Sequence, residues 1–171
     1  HYMVSRGKIG SKTSLGITND QLTYQDTLIS FSTRSRALTL PFTEKLEFFL
    51  SSNQKISVTG SITYARLLRA DPADLQRASM SVNYEAGLLG NKLLLHTFFQ
   101  KEASNVFALP WIGGLQIKQK LYRQHFFIAS VSSNYRMPTL NELYFVPGGN
   151  KDLKPEVSRN VEGGIESTFK Q

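Results

Sequence analysis

The chain has 171 residues and a formal net charge of +7, with 20 Lys and Arg against 13 Asp and Glu, a length that predicts one domain. Hydrophobic residues make up 40% and cysteine is absent, which excludes a disordered composition, a disulfide framework and thiolate metal sites. The basic residues are scattered, with no basic stripe and no aromatic RNA-binding motif, which argues against nucleic acid as a partner and leaves anionic lipid or lipopolysaccharide open.

No apolar run approaches the ~18 residues of a membrane helix. Strands remain a route across a membrane, because each needs only about 10 alternating residues. The start, His1 to Arg6, lacks the apolar centre of a signal peptide. The expectation is a mature form or an excised segment, with His1 as a possible tag remnant.

Residues 1–45 carry no clear period, and Thr23 to Arg36 reads as strand or polar loop with equal ease. Beyond them period-2 alternation recurs, with β-branched and aromatic residues. In Lys55 to Arg66, Ile56, Val58, Gly60, Ile62 and Tyr64 share one face, and Lys55, Ser57, Thr59, Ser61 and Thr63 the other. In Ser79 to Leu88, Met80, Val82, Tyr84, Ala86 and Leu88 oppose Ser79, Ser81, Asn83 and Glu85. The triplet Leu93, Leu94, Leu95 gives no parity. In Trp111 to Leu121, Leu115, Ile117 and Leu121 oppose Gln116, Lys118 and Lys120; its mate is Phe126 to Tyr135. The last strand is Val157 to Phe169, with Val161, Ile165 and Phe169 on one side. Gln119 on the apolar side, and Phe126 and Ile128 on the polar side, break the pattern.

The connections alternate in length. Ser52 to Gln54, Gly90-Asn91 and Tyr122 to His125 are tight; Asp71 to Gln76, Lys101 to Pro110 and Arg136 to Pro155 are longer. That sorting predicts an all-β, antiparallel up-and-down meander with short turns at one end and long loops at the other, as in outer-membrane barrels. A strand of ten residues, at about 3.3 Å per residue and a tilt near 45°, climbs roughly 23 Å, close to the ~25 Å apolar band of such a barrel. Tyr64, Trp111 and Tyr135 then fall at the loop-side ends of their strands, where an interfacial aromatic girdle is expected. The alternative fold is a soluble β-sandwich that binds a ligand or glycan. It predicts two sheets sharing a buried face.

No enzyme constellation is present: no Gly-x-Ser-x-Gly elbow, phosphate-cradling glycine loop or His-Glu-x-x-His. His1, His96 and His125 have no metal-ligand spacing. Glu85 with Glu102, or Glu156 with Glu162, pair only on paper. The chain is therefore expected to be neither an enzyme nor a holder of a metal or cofactor.

The densest motif comes late. Pro138 cannot donate to a ladder and pushes Met137 away from helix, so the preceding strand must stop there. Gly148, Gly149 and Asn150 predict positive backbone angles in a turn. Pro155 pre-sets the backbone before the next alternating run. Arg136 carries charge opposite to Glu142 and Glu156, and either is a candidate partner across the loop base. In order, the chain has Arg136, Pro138, Thr139, Leu140, Asn141, Glu142, Leu143 and Tyr144, then Gly149, Asn150, Asp152, Leu153, Lys154, Pro155, Glu156 and Ser158, then Glu162 and Gly164. This run resembles the signature of TonB-dependent outer-membrane receptors, departing from it at Met137, Lys151 and Gly163.

The resemblance implies residues 1–171 are part of a transmembrane barrel of about 22 strands, of which this length supplies about ten. The plug domain and final strands would lie elsewhere. It implies a bacterial outer-membrane location and a receptor for TonB-energised uptake of a scarce solute: an iron chelate, a corrinoid, or an oligosaccharide or peptide. The implied partners are the TonB complex, reached through the plug, the solute, and outer-membrane lipid with lipopolysaccharide. The signature residues are expected to shape the loop base rather than touch substrate.

Overall fold

The computed structural model describes residues 2–26, 28, 31–68, 73–144 and 148–167. Ten strands form one antiparallel sheet: β1 (Tyr2–Arg6), β2 (Ile9–Leu15), β3 (Thr18–Asp26), β4 (Phe31–Ser51), β5 (Gln54–Leu68), β6 (Ala73–Leu88), β7 (Leu93–Ser104), β8 (Ile112–Tyr122), β9 (His125–Arg136) and β10 (Glu156–Ser167), with one short helix, α1 (Leu140–Tyr144), between the last two. Their order is β1-β2-β4-β5-β6-β7-β8-β9-β10, with β3 also on β4. The sheet does not close among the described residues. A second sheet is absent among them too, so the sandwich alternative falls.

The long strand β4 spans 21 residues. Its lower part pairs with β2 and its upper part with β3, so β2 and β3 act as one interrupted strand. Pro41 sits at the interruption and has no N–H to offer. Its carbonyl accepts from the Gly16 amide at 3.0 Å, and a Cβ at Gly16 would sit 3.2 Å from the proline ring.

Side-chain alternation is held across the whole ladder. Phe48, Ile56, Tyr84, Thr97, Leu115, Val131 and Val161 follow one another as register partners. On the opposite face run Glu47, Ser57, Asn83, Phe98, Gly114, Ser132 and Asn160. The first face is apolar and open: Ile62 is 60% exposed, Phe99 54% and Val161 83%. The second is polar and internally bonded, with Lys55 to Glu85 at 3.2 Å, Lys118 to Glu166 at 2.8 Å and Ser61 to Ser79 at 2.7 Å. Gln119 lies on the apolar face opposite Phe127 and turns its amide to the Lys120 carbonyl. In β7, Leu93 and Leu95 share the apolar rows of Gln119 and Ile117, while Leu94 opposes Lys118.

Tight connections follow β1, β4, β6 and β8, all at one end. Positive backbone angles occur at Gly7, Leu89, Gly90, Asn91 and Arg123, the geometry that hairpin turns require. Two expected loops are shorter than the sequence implies. β6 begins at Ala73 and β7 runs to Ser104, so Ala73–Gln76 and Lys101–Ser104 belong to strands. Within the ambiguous stretch, Thr23 to Asp26 and Phe31 to Arg36 are the facing ends of β3 and β4. The end of the expected last strand, Thr168 to Phe169, and His1 lie outside the described residues.

Candidate functional site

The candidate site is the connection from β9 to β10, built on the signature residues. β9 ends at Arg136, directly before Met137-Pro138, where the missing N–H stops the ladder. Thr139 then caps α1. Its hydroxyl accepts from the Glu142 amide at 3.2 Å, while Glu142 accepts from the Thr139 amide at 2.8 Å. This reciprocal box satisfies two donors that a helix start leaves unpaired.

The helix places Leu140 and Leu143 inward, 8% and 2% exposed. Leu140 joins Ala65, Leu67 and Leu75 in a cluster, with Ala37, Ala73, Met137 and Tyr144 packed around it. Those wall residues stand on the polar face near the upper ends of β4, β5 and β6. The loop therefore leaves β9, passes the ends of β7 and β8, and docks on strands three to five places away. Asn141 meets Ser35 of β4 at 3.5 Å.

Arg136 ties the base. Its guanidinium donates to Glu142 at 3.0 and 3.1 Å and to Glu156, its register partner on β10, at 3.1 and 3.3 Å. Both carboxylates engage one arginine. Hydrogen bonds from the Thr139 amide, and then the Arg136 charge, hold Glu142 below the usual carboxylate range. The far side of the loop turns on Asn150. Its amide donates to the Glu142 carbonyl at 2.9 Å, and its side-chain oxygen accepts from Asp152 at 2.9 Å. Neither Gly148 nor Asn150 has the positive backbone angle expected of it; the Asn150 side chain supplies the turn instead. Leu153, Lys154 and Pro155 lead the chain into β10, where Glu162 opposes Ser130 and Gly164 opposes Ile128.

A second polar group was not legible as a unit. Glu102, 4% exposed, is bound by Arg77 through two nitrogens and accepts from the Tyr135 hydroxyl at 2.6 Å. Tyr135 thus directs its polar end to an internal carboxylate. Tyr64 bonds Asp74 at 3.1 Å, and Trp111 stacks on Phe99 at 4.8 Å beneath the Lys101 ammonium. The carboxylates paired on paper are apart: Glu85 meets Lys55 and Glu156 meets Arg136. His125 bonds Ser167 at 2.7 Å. His96 lines a concavity of about 960 Å³ on the short-turn side, with Lys55, Glu85, Gln116 and Lys118. Among the described residues no three His, Asp or Glu gather into a cation site.

Three comparisons bear on this arrangement. Residues 119–171 match the family model described as TonB dependent receptor-like, beta-barrel. A 57-residue stretch is 44% identical to the vitamin B12 transporter BtuB of Vibrio vulnificus (strain YJ016), covering 33% of this chain and 9% of that protein. The fold resembles the siderophore receptor PirA of Pseudomonas aeruginosa, with a TM-score of 0.83 at 16% identity over 98% of this chain and 34% of that one. It also resembles a mutant ferric enterobactin receptor PfeA from the same organism, with a TM-score of 0.82 at 14% identity over 98% and 31%. The chain thus spans about a third of the solved receptors, and the matching stretch under a tenth of the transporter. An open antiparallel meander, an exposed apolar face and the late signature agree with these likenesses, which support a partial barrel segment of the kind found in TonB-dependent receptors, β-barrel proteins of the bacterial outer membrane.

Proposed function

We propose that this segment forms wall and mouth of a receptor that takes up a scarce solute with energy delivered by TonB. The observation that carries the reading is the inward-docked β9–β10 connection. It sets a packed, charge-tied loop on the polar face, near the end from which a solute would enter, while the other face is apolar enough to meet lipid. The polar face around Lys55, Glu85, His96 and Lys118 faces the lumen, where a plug domain carried elsewhere in the receptor would pack and receive the TonB pull.

The substrate is one of a small set: a corrinoid, an iron chelate, or an oligosaccharide or peptide. The 44% identity to a vitamin B12 transporter favours none of them, because the 57 residues are too few to include most of a mouth. The signature residues act at the loop base rather than on the solute.

Two measurements on the full-length receptor test this. Membrane fractionation with gel mobility before and after boiling reports a closed barrel in the outer membrane; a soluble product without a mobility shift overturns the reading. Deletion of the receptor should then abolish high-affinity uptake of one labelled solute from a panel of cobalamin, ferric siderophores and maltodextrins, and dissipating the proton gradient should do the same. Unchanged uptake of every class would remove the transport assignment while leaving the barrel intact.

A further inference from the structure

A carboxylate interrupts the apolar face near its middle. In β4, Leu40, Phe42, Glu44, Leu46 and Phe48 share that side. Leu40 pairs with Tyr64 of the upper aromatic rim, and Phe48 pairs with Ile56 lower down. Glu44 stands midway between those two rows, roughly 9 Å from each at about 3.3 Å per residue and a 45° tilt. A charged side chain on a lipid face is least favourable at mid-band and nearly neutral at the rims. On the polar face the acids are matched with bases: Glu47 and Glu85 meet Lys55, and Glu166 meets Lys118. Among the described residues no cation meets Glu44.

The carboxylate is held in place and left partly open. Its Oε1 accepts from the Ser11 hydroxyl at 2.6 Å and its Oε2 from the Thr13 hydroxyl, both on β2. An ionised carboxyl offers about four lone-pair sites, so two donors do not fill it. The hydroxyls are not needed to hold the strand, because backbone pairing already joins β2 to β4 at every residue from Ile9 to Leu15. On the other flank stands Gly60, the register partner of Glu44. A Cβ there would meet nothing within 4 Å, so a neighbour can come up to the bare backbone. Acyl chains carry no hydrogen-bond donor. What completes the site is a base carried into the hydrocarbon on a folded chain. A second copy is a poor source. Lys101, the base on the same register row, is held by the Leu109 carbonyl at 2.6 Å and lies over Trp111.

We propose that Glu44, with Ser11, Thr13 and Gly60, is the docking site for a different membrane-embedded protein whose lipid-facing surface carries a lysine or arginine at mid-band. Ionisable groups at that depth pair with one another, and charge complementarity selects a base as the counterpart. The proposal rests on the reading of that face as lipid-facing.

The test places a benzophenone amino acid at Gly60 of the full receptor and irradiates living cells. With Glu44 intact, one discrete adduct with another protein should form, and peptide mass spectrometry should locate the crosslink in a membrane-embedded segment with Lys or Arg beside it. Glu44→Leu should reduce that adduct by roughly threefold to tenfold. The purified Glu44→Leu receptor should meanwhile unfold in urea at the wild-type midpoint or above it, because a carboxylate on this face does not stabilise the receptor alone. No adduct, an adduct indifferent to Glu44→Leu, or a crosslinked segment without a base overturns the proposal. A lowered midpoint also overturns it and makes Glu44 a tie between β2 and β4. An adduct between two receptor copies would replace it with self-association. A boiling-dependent gel shift in every variant separates these outcomes from failure of the barrel reading itself.

Discussion

Arg136 is half-exposed and lies between two carboxylates that are also open to water. Exposed ion pairs are each worth only about 0–1 kcal/mol, so the arginine acts by setting where the loop starts. Arg136→Ala leaves Glu142 and Glu156 close together without a cation. It should loosen the loop and lower the unfolding midpoint of the full receptor slightly, with solute affinity retained; a selective loss of affinity in a stable variant would refute the structural role. The pH dependence has a definite sign. Glu142 is held below its ordinary value in the fold, so its contribution is complete above the unfolded carboxylate range and fades as pH falls through the depressed value. Protection of the Leu143 amide, taken relative to its intrinsic exchange rate, should therefore weaken in acid, and Glu142→Gln should flatten that response. Glu102 is the costlier site. It is buried and tied to Arg77 and Tyr135, and its removal leaves the Tyr135 hydroxyl and a partly exposed Arg77 without their acceptor, at about 1–3 kcal/mol. Glu102→Ala should shift the urea midpoint of the heat-sensitive band well beyond the shift from Arg136→Ala.

At the scale of elements, α1 has only five residues, far too few to persist alone. Its capping box and its seat on Leu67 and Leu75 hold it. Leu67, 1% exposed, is the anvil: Leu67→Ala should cost about 2–5 kcal/mol of local packing. Exchange at residues 139–144 should rise while the β9–β10 ladder stays protected; equal exposure of both would mean the loop is no separate unit. Gly114 shows the opposite constraint. A Cβ there would fall 2.6 Å from the Phe98 ring and 3.1 Å from the Val131 carbonyl, so the bare backbone is what lets the ring lie flat on β8. These elements differed in how openly the sequence announced them. β5, β6, β8, β9 and β10 each separate an apolar from a polar face, and alternation reveals that despite Gln119 in β8 and Phe126 and Ile128 in β9. On the barrel reading β3 and upper β4 rise beyond the apolar band, so nothing enforces alternation and Thr23 to Arg36 stayed ambiguous. The same cause concealed the tops of β6 and β7: Asp74 and Gln76 are polar because that part of the wall is wet, not because it is loop. Arg136 and its two acids were legible from charge and nearness. Docking of Leu140 on Leu67 was not, because no local pattern encodes a contact across 73 residues.

For the whole molecule, the two faces define the solvent each must meet. An apolar face carrying Ile62, Phe99, Val131 and Val161 in the open far exceeds what a water-soluble surface tolerates. The outermost strands of the described sheet, β1 and β10, present unpaired backbone along one side each, and such edges recruit further strands. A polypeptide of these 171 residues alone should self-associate in detergent, with scattering that grows with concentration, whereas the full receptor should elute as a discrete species. A monodisperse, protease-resistant segment would contradict the edge argument.

The height of β4 has one more consequence. Twenty-one residues at about 3.3 Å and a 45° tilt climb roughly 49 Å, about twice the apolar band. On the proposed reading that excess stands outside the cell as hydrogen-bonded sheet rather than supple chain. A protease needs an extended, yielding substrate, so shaved cells should be nicked first near 105–111 and 148–155, and antibodies raised against linear peptides of 31–40 should fail to stain living bacteria that antibodies against the folded protein recognise.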